Sequence, residues 1–368
     1  MENKQSKEPR RWTLGLGLWL VLSTLATSPA WVAMYVHRNR SDNSLFEMAN
    51  HTHWHFALGV LGILLLDAIL FWWHRWRPGL IAKVMHLAML LTPAVYLSMV
   101  VHPWTALPLN SFYATKKATK PLAIASWNVF IQNNKFDIIQ KSIESLDADV
   151  VLLIEITPEH QKGLSKLSKS YPHSIWVPKS NTTGIAILSR IPGTKYRELS
   201  MGKSQMLALE ALIPAGPYAD APIRLLGVHT ASPNKNSRFL VRDEQLEDIA
   251  AWVNKFPGQT IVFGDMNITP WSDSFQKLLK DAKLQDTRVY RGYFATWPCG
   301  LGIFGIPIDH ILVSSGIRVI DRECGFPTVD SDHQWIRATL DGATVDGAKV
   351  DRSRQESLDG SGKSSKSP

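Results

Sequence analysis

Asp265 and Asn267 stand two residues apart at the end of Ile261-Val262-Phe263-Gly264, an apolar run of β character whose glycine lets a strand stop sharply. An acid and an amide projecting together from a strand tip suit a hard-cation site that handles a phosphate. The carboxylate takes a metal or a water and the amide holds a phosphoryl oxygen. A plain turn uses the same letters, with both side chains bonded to their own backbone, so the motif draws its meaning from its company. Asn128 closes the apolar run from Leu122, Glu155 closes the run from Asp149, and His229 ends the run from Ile223. Asp309 follows Ile306-Pro307-Ile308, and Asp332-His333 precede Gln334-Trp335-Ile336. Burying an unpaired charge costs several kcal/mol. Six strand ends of this kind in one domain are therefore expected to gather in one cleft.

The elements that must position these residues lie between about 117 and 340, where composition is that of a soluble α/β domain. Strands are expected at 122–128, 149–155, 184–190, 206–213, 223–230, 261–265, 306–313 and 331–336. Helices are expected over 136–145, 238–254 and 272–279, and Leu246, Ile249, Ala250 and Val253 mark the apolar stripe of the second. Adjacent strand residues face opposite sides, so His310 should point away from the cleft that takes Asp309. The chain has only two cysteines, Cys299 and Cys324; that excludes a disulfide framework or a Cys-rich zinc site, leaving one bridge or, as expected here, two ordinary thiols.

The first hundred residues read differently. A basic tail, residues 1–11, precedes an uncharged run at 12–36 that, at 1.5 Å per residue, is long enough for a bilayer core of roughly 30 Å. A cleaved signal peptide is the competing reading, from Ala26-Thr27-Ser28-Pro29-Ala30. Two further apolar runs, about 56–73 and 80–101, complete a three-span region over residues 12–102, joined by a short basic link into a helical hairpin. Asp67 and His86 fall at similar depth on facing helices and are expected to pair. His51, His53 and His55 alternate just before the second run; they suit a metal if extended, but are expected to be interfacial side chains. Near the span ends Lys4, Lys7, Arg10, Arg11, Arg75, Arg77 and Lys83 stand against Arg38, Arg40, Lys116, Lys117 and Lys120. Seven basic residues against five favour a cytoplasmic N-terminus and place the α/β domain outside the cytoplasmic membrane. A linker at 103–120, the domain at 121–340 and a disordered tail at 341–368, rich in Gly, Ser, Lys and Asp, complete the expected organisation. The net charge of +8 admits a nucleic-acid partner, although much of the excess sits beside apolar segments. Nothing in the sequence points to a protein partner.

Ser126-Trp127-Asn128, Leu153-Ile154-Glu155, Gly227-Val228-His229, Gly264-Asp265-Met266-Asn267, Ile308-Asp309-His310 and Ser331-Asp332-His333, in that order, resemble the endonuclease/exonuclease/phosphatase superfamily. That superfamily includes deoxyribonuclease I, abasic-site endonucleases, inositol polyphosphate 5-phosphatases and neutral sphingomyelinases. The resemblance implies a four-layer α/β sandwich, two packed mixed sheets flanked by helices, here preceded by three transmembrane helices. It implies Mg²⁺ or Mn²⁺, with Glu155 as the principal ligand, Asn128 in or beside the shell and Asp332 as a second ligand or a tuning neighbour. Asp265 and Asn267 would orient the attacking water and a phosphate oxygen. His333, paired with Asp309, would serve as general base or stabilise the phosphorane, and His229 matches a second catalytic histidine. Three spans followed by such a domain resemble bacterial membrane phosphatases linked to teicoplanin resistance, associated with undecaprenyl pyrophosphate or related lipid carriers. The expected partners are thus the lipid bilayer and a lipid-linked phosphoester or pyrophosphate, hydrolysed by in-line attack of water, with a nuclease acting on DNA or RNA as the alternative. Thr296-Trp297-Pro298 with Leu301, Ile303, Phe304 and Ile306 is expected at the cleft mouth, either as a lipid-touching loop or as packing.

Overall fold

The computed structural model describes residues 51–73, 90–91, 93–98, 100–101, 120–233, 238–256, 258–325 and 330–342. In chain order the elements are α1 (His53–Trp73), β1 (Leu122–Asn128), α2 (Phe136–Ser145), β2 (Val150–Ile154), α3 (Pro158–Gly163), α4 (Leu167–Ser170), β3 (His173–Val177), β4 (Ile185–Ser189), β5 (Lys195–Met201), β6 (Met206–Ile213), β7 (Ile223–His229), α5 (Arg238–Asn254), β8 (Gln259–Asp265), α6 (Asp273–Asp281), β9 (Leu284–Asp286), β10 (Asp309–Ser314), β11 (Arg318–Cys324) and β12 (Ile336–Asp341). Residues 90–91, 93–98 and 100–101 are also helical.

Two six-stranded mixed sheets, ordered β11-β12-β1-β2-β4-β3 and β5-β6-β7-β8-β10-β9, pack face to face. The period-2 alternation of each central strand decides which layer every side chain joins. In β1, Leu122 and Ile124 enter the core between the sheets with Leu152, Leu225, Phe263 and Ile311. Ala123, Ala125 and Trp127 turn to the outer face, where they meet Ile139 and Ile143 of α2. On the second sheet Leu226, Val228, Val262 and Leu312 face Leu246, Ile249 and Val253 of α5 and Phe275 and Leu278 of α6. Helix, sheet, sheet and helix thus form the expected four layers, with apolar burial, worth roughly 25 cal/mol per Å², on both faces of each sheet.

Two boundaries differ from expectation. Residues 331–335 form a loop and β12 begins only at Ile336, because Ser331, Asp332, His333 and Gln334 offer no apolar face to a sheet. Likewise β10 begins at Asp309 rather than at Ile306. At the N-terminus, the expected span at 56–73 is a helix beginning at His53. Among the described residues no helix is long and apolar enough to cross a membrane. The runs at 1–50 and 102–119, most of 80–101, the tail from 343 and the Asp67–His86 pairing lie outside the described residues. Cys299 and Cys324 are free thiols.

Candidate active site

Strand register brings the polar ends together. His229 at the end of β7 pairs in parallel register with Asp265 at the end of β8, and Asp309, opening β10, lies directly across from Asp265 in the antiparallel ladder. In the other sheet Asn128 closes β1 opposite Ile154 of β2, so Glu155 follows immediately. Glu155 and Asn267 both turn out of their strands with positive φ, 63° and 48°, a conformation that costs a side-chain-bearing residue ~1–2 kcal/mol. Each is held there: the Glu155 carboxylate accepts from Ile131 N at 2.9 Å, and Asn267 N donates to Asp265 Oδ1 at 2.9 Å. Gly264, at φ +142°, has no alternative residue. A Cβ there would stand 1.9 Å from the Val228 carbonyl oxygen.

The centre is a buried cluster of Asp265, Asp309 and His333, whose ligand atoms lie within 4.8 Å of one another. His333 Nδ1 meets Asp309 Oδ2 at 2.9 Å and its Nε2 stands 3.7 Å from Asp265 Oδ2. His229 Nε2 approaches the same oxygen to 3.6 Å, while its Nδ1 contacts the Thr182 carbonyl at 3.0 Å. The Asn128 amide bridges the two sheets, donating to Asp265 Oδ2 at 3.3 Å and to Glu155 Oε1 at 3.2 Å. Asn267 donates through Nδ2 to the Thr230 carbonyl at 2.9 Å.

Burial and mutual charge split these groups apart in pKa. Burial, reinforced by the neighbouring Asp309, pushes Asp265 up to about 6. Burial acts on Asp309 in the same direction, but the charge and hydrogen bond of His333 outweigh it and hold Asp309 below the usual carboxylate range. Burial would make His333 less basic; Asp309 and Asp265 override it and raise the imidazole to about 10. His333 is therefore an imidazolium at neutral pH, and of the three groups of the buried cluster Asp265 titrates nearest to neutrality.

Asn128, Glu155, His229, Asp265, Asn267, Asp309 and His333 are thus brought to one place. Asp332 is not: it is exposed, and its Oδ2 accepts from the Trp297 indole at 3.1 Å, because its neighbour His333 takes the inward direction. His310 faces away, as adjacent strand positions require. Its Nε2 contacts the Ile268 carbonyl at 2.7 Å and its Nδ1 the Arg288 guanidinium at 3.0 Å, and burial, aided by Arg288, pushes its pKa down to about 3. The three N-terminal histidines have separate partners: His51 contacts Thr269, His53 contacts Tyr96 and His55 contacts the Phe304 carbonyl. Sequence reasoning missed Ser331, which donates to the Asn128 carbonyl at 2.7 Å and accepts from His333 N at 3.0 Å. It also missed Thr296, whose hydroxyl accepts from Asp309 N at 3.3 Å. Neither carries a local signal, since a hydroxyl in a loop reads as solvated.

The donor set suits a hard divalent cation. Asp309 Oδ1 is buried with no hydrogen-bond partner, and Glu155 is bonded only to an amide and a backbone N–H, with no Lys or Arg paired to it among the described residues. A carboxylate with no Lys or Arg paired to it, with a side-chain amide beside it, makes Glu155 and Asn128 fit an Mg²⁺-like ion rather than a soft metal.

A buried acid–imidazole cluster thus stands where the polar ends of strands from two packed sheets meet. The chain belongs to the Endonuclease/Exonuclease/phosphatase family, whose model matches residues 125–333. Its fold is shared with D. rerio TDP2 complexed with single strand DNA product, at 18% identity over 60% of this chain and 99% of that one, with a TM-score of 0.50. It is also similar to a functionally unknown conserved protein from Enterococcus faecalis V583 (18% identity, 60% and 99% covered, TM-score 0.49). A further similar structure is sphingomyelinase C from Streptomyces griseocarneus (14% identity, 60% and 99% covered, TM-score 0.45). No curated protein matches the chain.

Proposed function

We propose that this chain is a divalent-metal-dependent phosphoester hydrolase, and that its substrate is a lipid-linked phosphoester or pyrophosphate met at a membrane surface. The observation that carries the hydrolase reading is the contact of one imidazolium, His333, with Asp309 at 2.9 Å and Asp265 at 3.7 Å. Phosphoester hydrolysis needs a water aimed in line, charge stabilised on the non-bridging oxygens and a proton for the leaving oxygen. Asp265, with its pKa near 6, is matched to accept a proton from that water. His333, locked in orientation by Asp309, places positive charge against the phosphorane, while His229 and the Asn128 and Asn267 amides are neighbours able to hold phosphoryl oxygens. A cation held by Glu155 and Asn128, either Mg²⁺ or Mn²⁺, supplies Lewis-acid neutralisation of the phosphate when bound.

The lipid-linked part of the reading rests on the cleft mouth and on the apolar N-terminal runs. Leu301, Ile303 and Phe304 are 51%, 54% and 61% exposed, next to the Trp297 whose indole holds Asp332. That loop is tied to the start of α1, since Trp54 Nε1 donates to the Ile303 carbonyl at 3.0 Å. An external, multi-pass placement in the cytoplasmic membrane accords with these features and with the basic-residue count. The second reading, an endonuclease or exonuclease, is favoured by the net charge of +8. The test is to incubate the purified full chain with Mg²⁺ or Mn²⁺ and, separately, a polyprenyl pyrophosphate, sphingomyelin, other phospholipids and plasmid DNA. We expect metal-dependent turnover of a lipid phosphoester or pyrophosphate; cleavage confined to DNA would establish the nuclease instead, and no cleavage of any phosphoester would overturn the hydrolase reading.

A further inference from the structure

The turn that carries Asn267 is gripped from outside the α/β domain. His51, at the threshold of α1, places Nδ1 3.2 Å from Thr269 Oγ1 and Nε2 3.4 Å from Arg242 Nη1. Arg242 is fully buried in α5 and donates through the same Nη1 to the Asn267 carbonyl at 3.1 Å. A guanidinium only donates. His51 Nε2 is therefore the acceptor, and Nδ1 carries the proton offered to the Thr269 hydroxyl. Two residues further on, Trp271 Nε1 donates to the Val100 carbonyl at 2.9 Å, and its ring is buried with Ala57, Val60, Tyr96 and Val100.

We propose that the N-terminal helical segment forms part of the active-site scaffold, with His51 and Arg242 as positioning residues that fix the left-handed Asn267 turn. Within the α/β domain the turn is tied by Asn267 Nδ2 to the Thr230 carbonyl and by Arg242 to the Asn267 carbonyl, and His51 adds a hold from outside it. Asn267 holds φ +48° two residues after Asp265, so a shift of its carbonyl moves both the Asn267 amide and the N–H that binds Asp265 Oδ1. Arg242 reaches the carbonyl from the buried side, and His51 closes a ring from Arg242 to Thr269 that contains the whole turn. A tether would need only covalent continuity. Here two separate helical stretches, at His51 and at Val100, contact the same five-residue loop from Asn267 to Trp271. The catalytic part of the inference rests on the hydrolase reading above; the scaffold part does not.

The test uses the full chain in detergent, with bis(4-nitrophenyl) phosphate and Mg²⁺ as the probe, and variants His51→Ala, His51→Gln and Thr269→Val. Thr269→Val removes the hydroxyl without changing volume, so it remains informative if His51→Ala folds poorly. We expect His51→Ala and Thr269→Val to lower kcat by about tenfold or more, the scale of a small misplacement, with KM within about twofold. Glutamine, which keeps a donor and an acceptor, is expected to restore most of the loss at position 51. Amide hydrogen exchange in residues 266–272 should quicken in the two defective variants while the melting temperature holds. Unchanged kcat and unchanged exchange in both would overturn the proposal, as would a loss that glutamine leaves in place and that follows the melting temperature down. Asp265→Asn in the same assay separates the two ideas: if it retains full hydrolysis the assignment of the catalytic site to the Asp265 cluster fails, while the exchange measurement still decides the scaffold.

Discussion

Two buried carboxylates share one imidazole at the centre of this molecule, and their unequal surroundings give them unequal tasks. Asp309 receives the hydrogen bond of the His333 ring and stays ionised; Asp265 meets that ring only at 3.7 Å, and burial pushes its pKa up to about 6. Loss of any one electrostatic group of this kind typically costs ~10²-fold in turnover, and Asp265→Ala, His333→Ala and Glu155→Ala are each expected to cost at least that in a metal-supplemented phosphoester assay. Retention of near-normal rates by all three would refute the site. The raised pKa of His333 also predicts a stability profile. Its folded value of about 10 lies above the ordinary 6.5, so its contribution is complete below 6.5 and fades as pH rises through about 10. In metal-free protein the stability gap between wild type and His333→Gln should therefore narrow from pH 7 toward pH 10 in thermal melts, and a gap that widens would show that the imidazole is not held as a cation.

Among the elements, β8 carries the heaviest constraint. Its last turn must bring Asp265 level with His229 on one side and Asp309 on the other, and Gly264 allows this by letting the Val228 carbonyl come where a Cβ would be. Gly264→Ala is expected to destabilise the domain by at least ~2 kcal/mol, through overpacking against backbone and an unfavourable φ, read as a lower urea midpoint. An unshifted midpoint would mean that the turn can rearrange. The central strands were legible because they are continuous apolar runs. Of the strands that escaped a sequence reading, β3, β5, β9 and β11 are the four sheet edges, where one side of the ladder is unpaired and charged residues such as Lys195, Arg197, Glu198 and Arg322 break the run; the interior β12 was met only at Ile336. The loop at 331–335 was misread as strand because Trp335-Ile336 supply its only apolar signal.

For the whole molecule, the relation between the helical segment and the cleft mouth matters most. The exposed Leu301, Ile303 and Phe304 stand beside α1, which itself exposes Leu61, Leu65 and Ile69. Clustered exposed apolar side chains such as Leu301, Ile303 and Phe304 mark surfaces that contact a partner or a lipid. Replacing Leu301, Ile303 and Phe304 together by serine is expected to lower turnover of a lipid phosphoester in vesicles by about tenfold, through weaker surface partitioning, and to leave hydrolysis of soluble bis(4-nitrophenyl) phosphate within about twofold. Equal loss on both substrates would mean that the loop supports the cleft rather than the lipid.

The polar residues Asn128, Glu155, His229, Asp265, Asn267, Asp309 and His333 beside apolar runs could be read from letters alone, because apolar runs and the polar residues that flank them are local properties of the chain. The family, the double-sheet sandwich and the pairing expected of His333 with Asp309 came from the order of those tips. Only the tertiary structure decided that Asp332 turns outward to Trp297, that Ser331 and Thr296 brace the loops, and that His51 reaches Thr269 and Arg242 from more than 190 positions away. Such contacts depend on which backbone directions remain after two sheets and their helices have packed, and no short stretch of sequence contains that information.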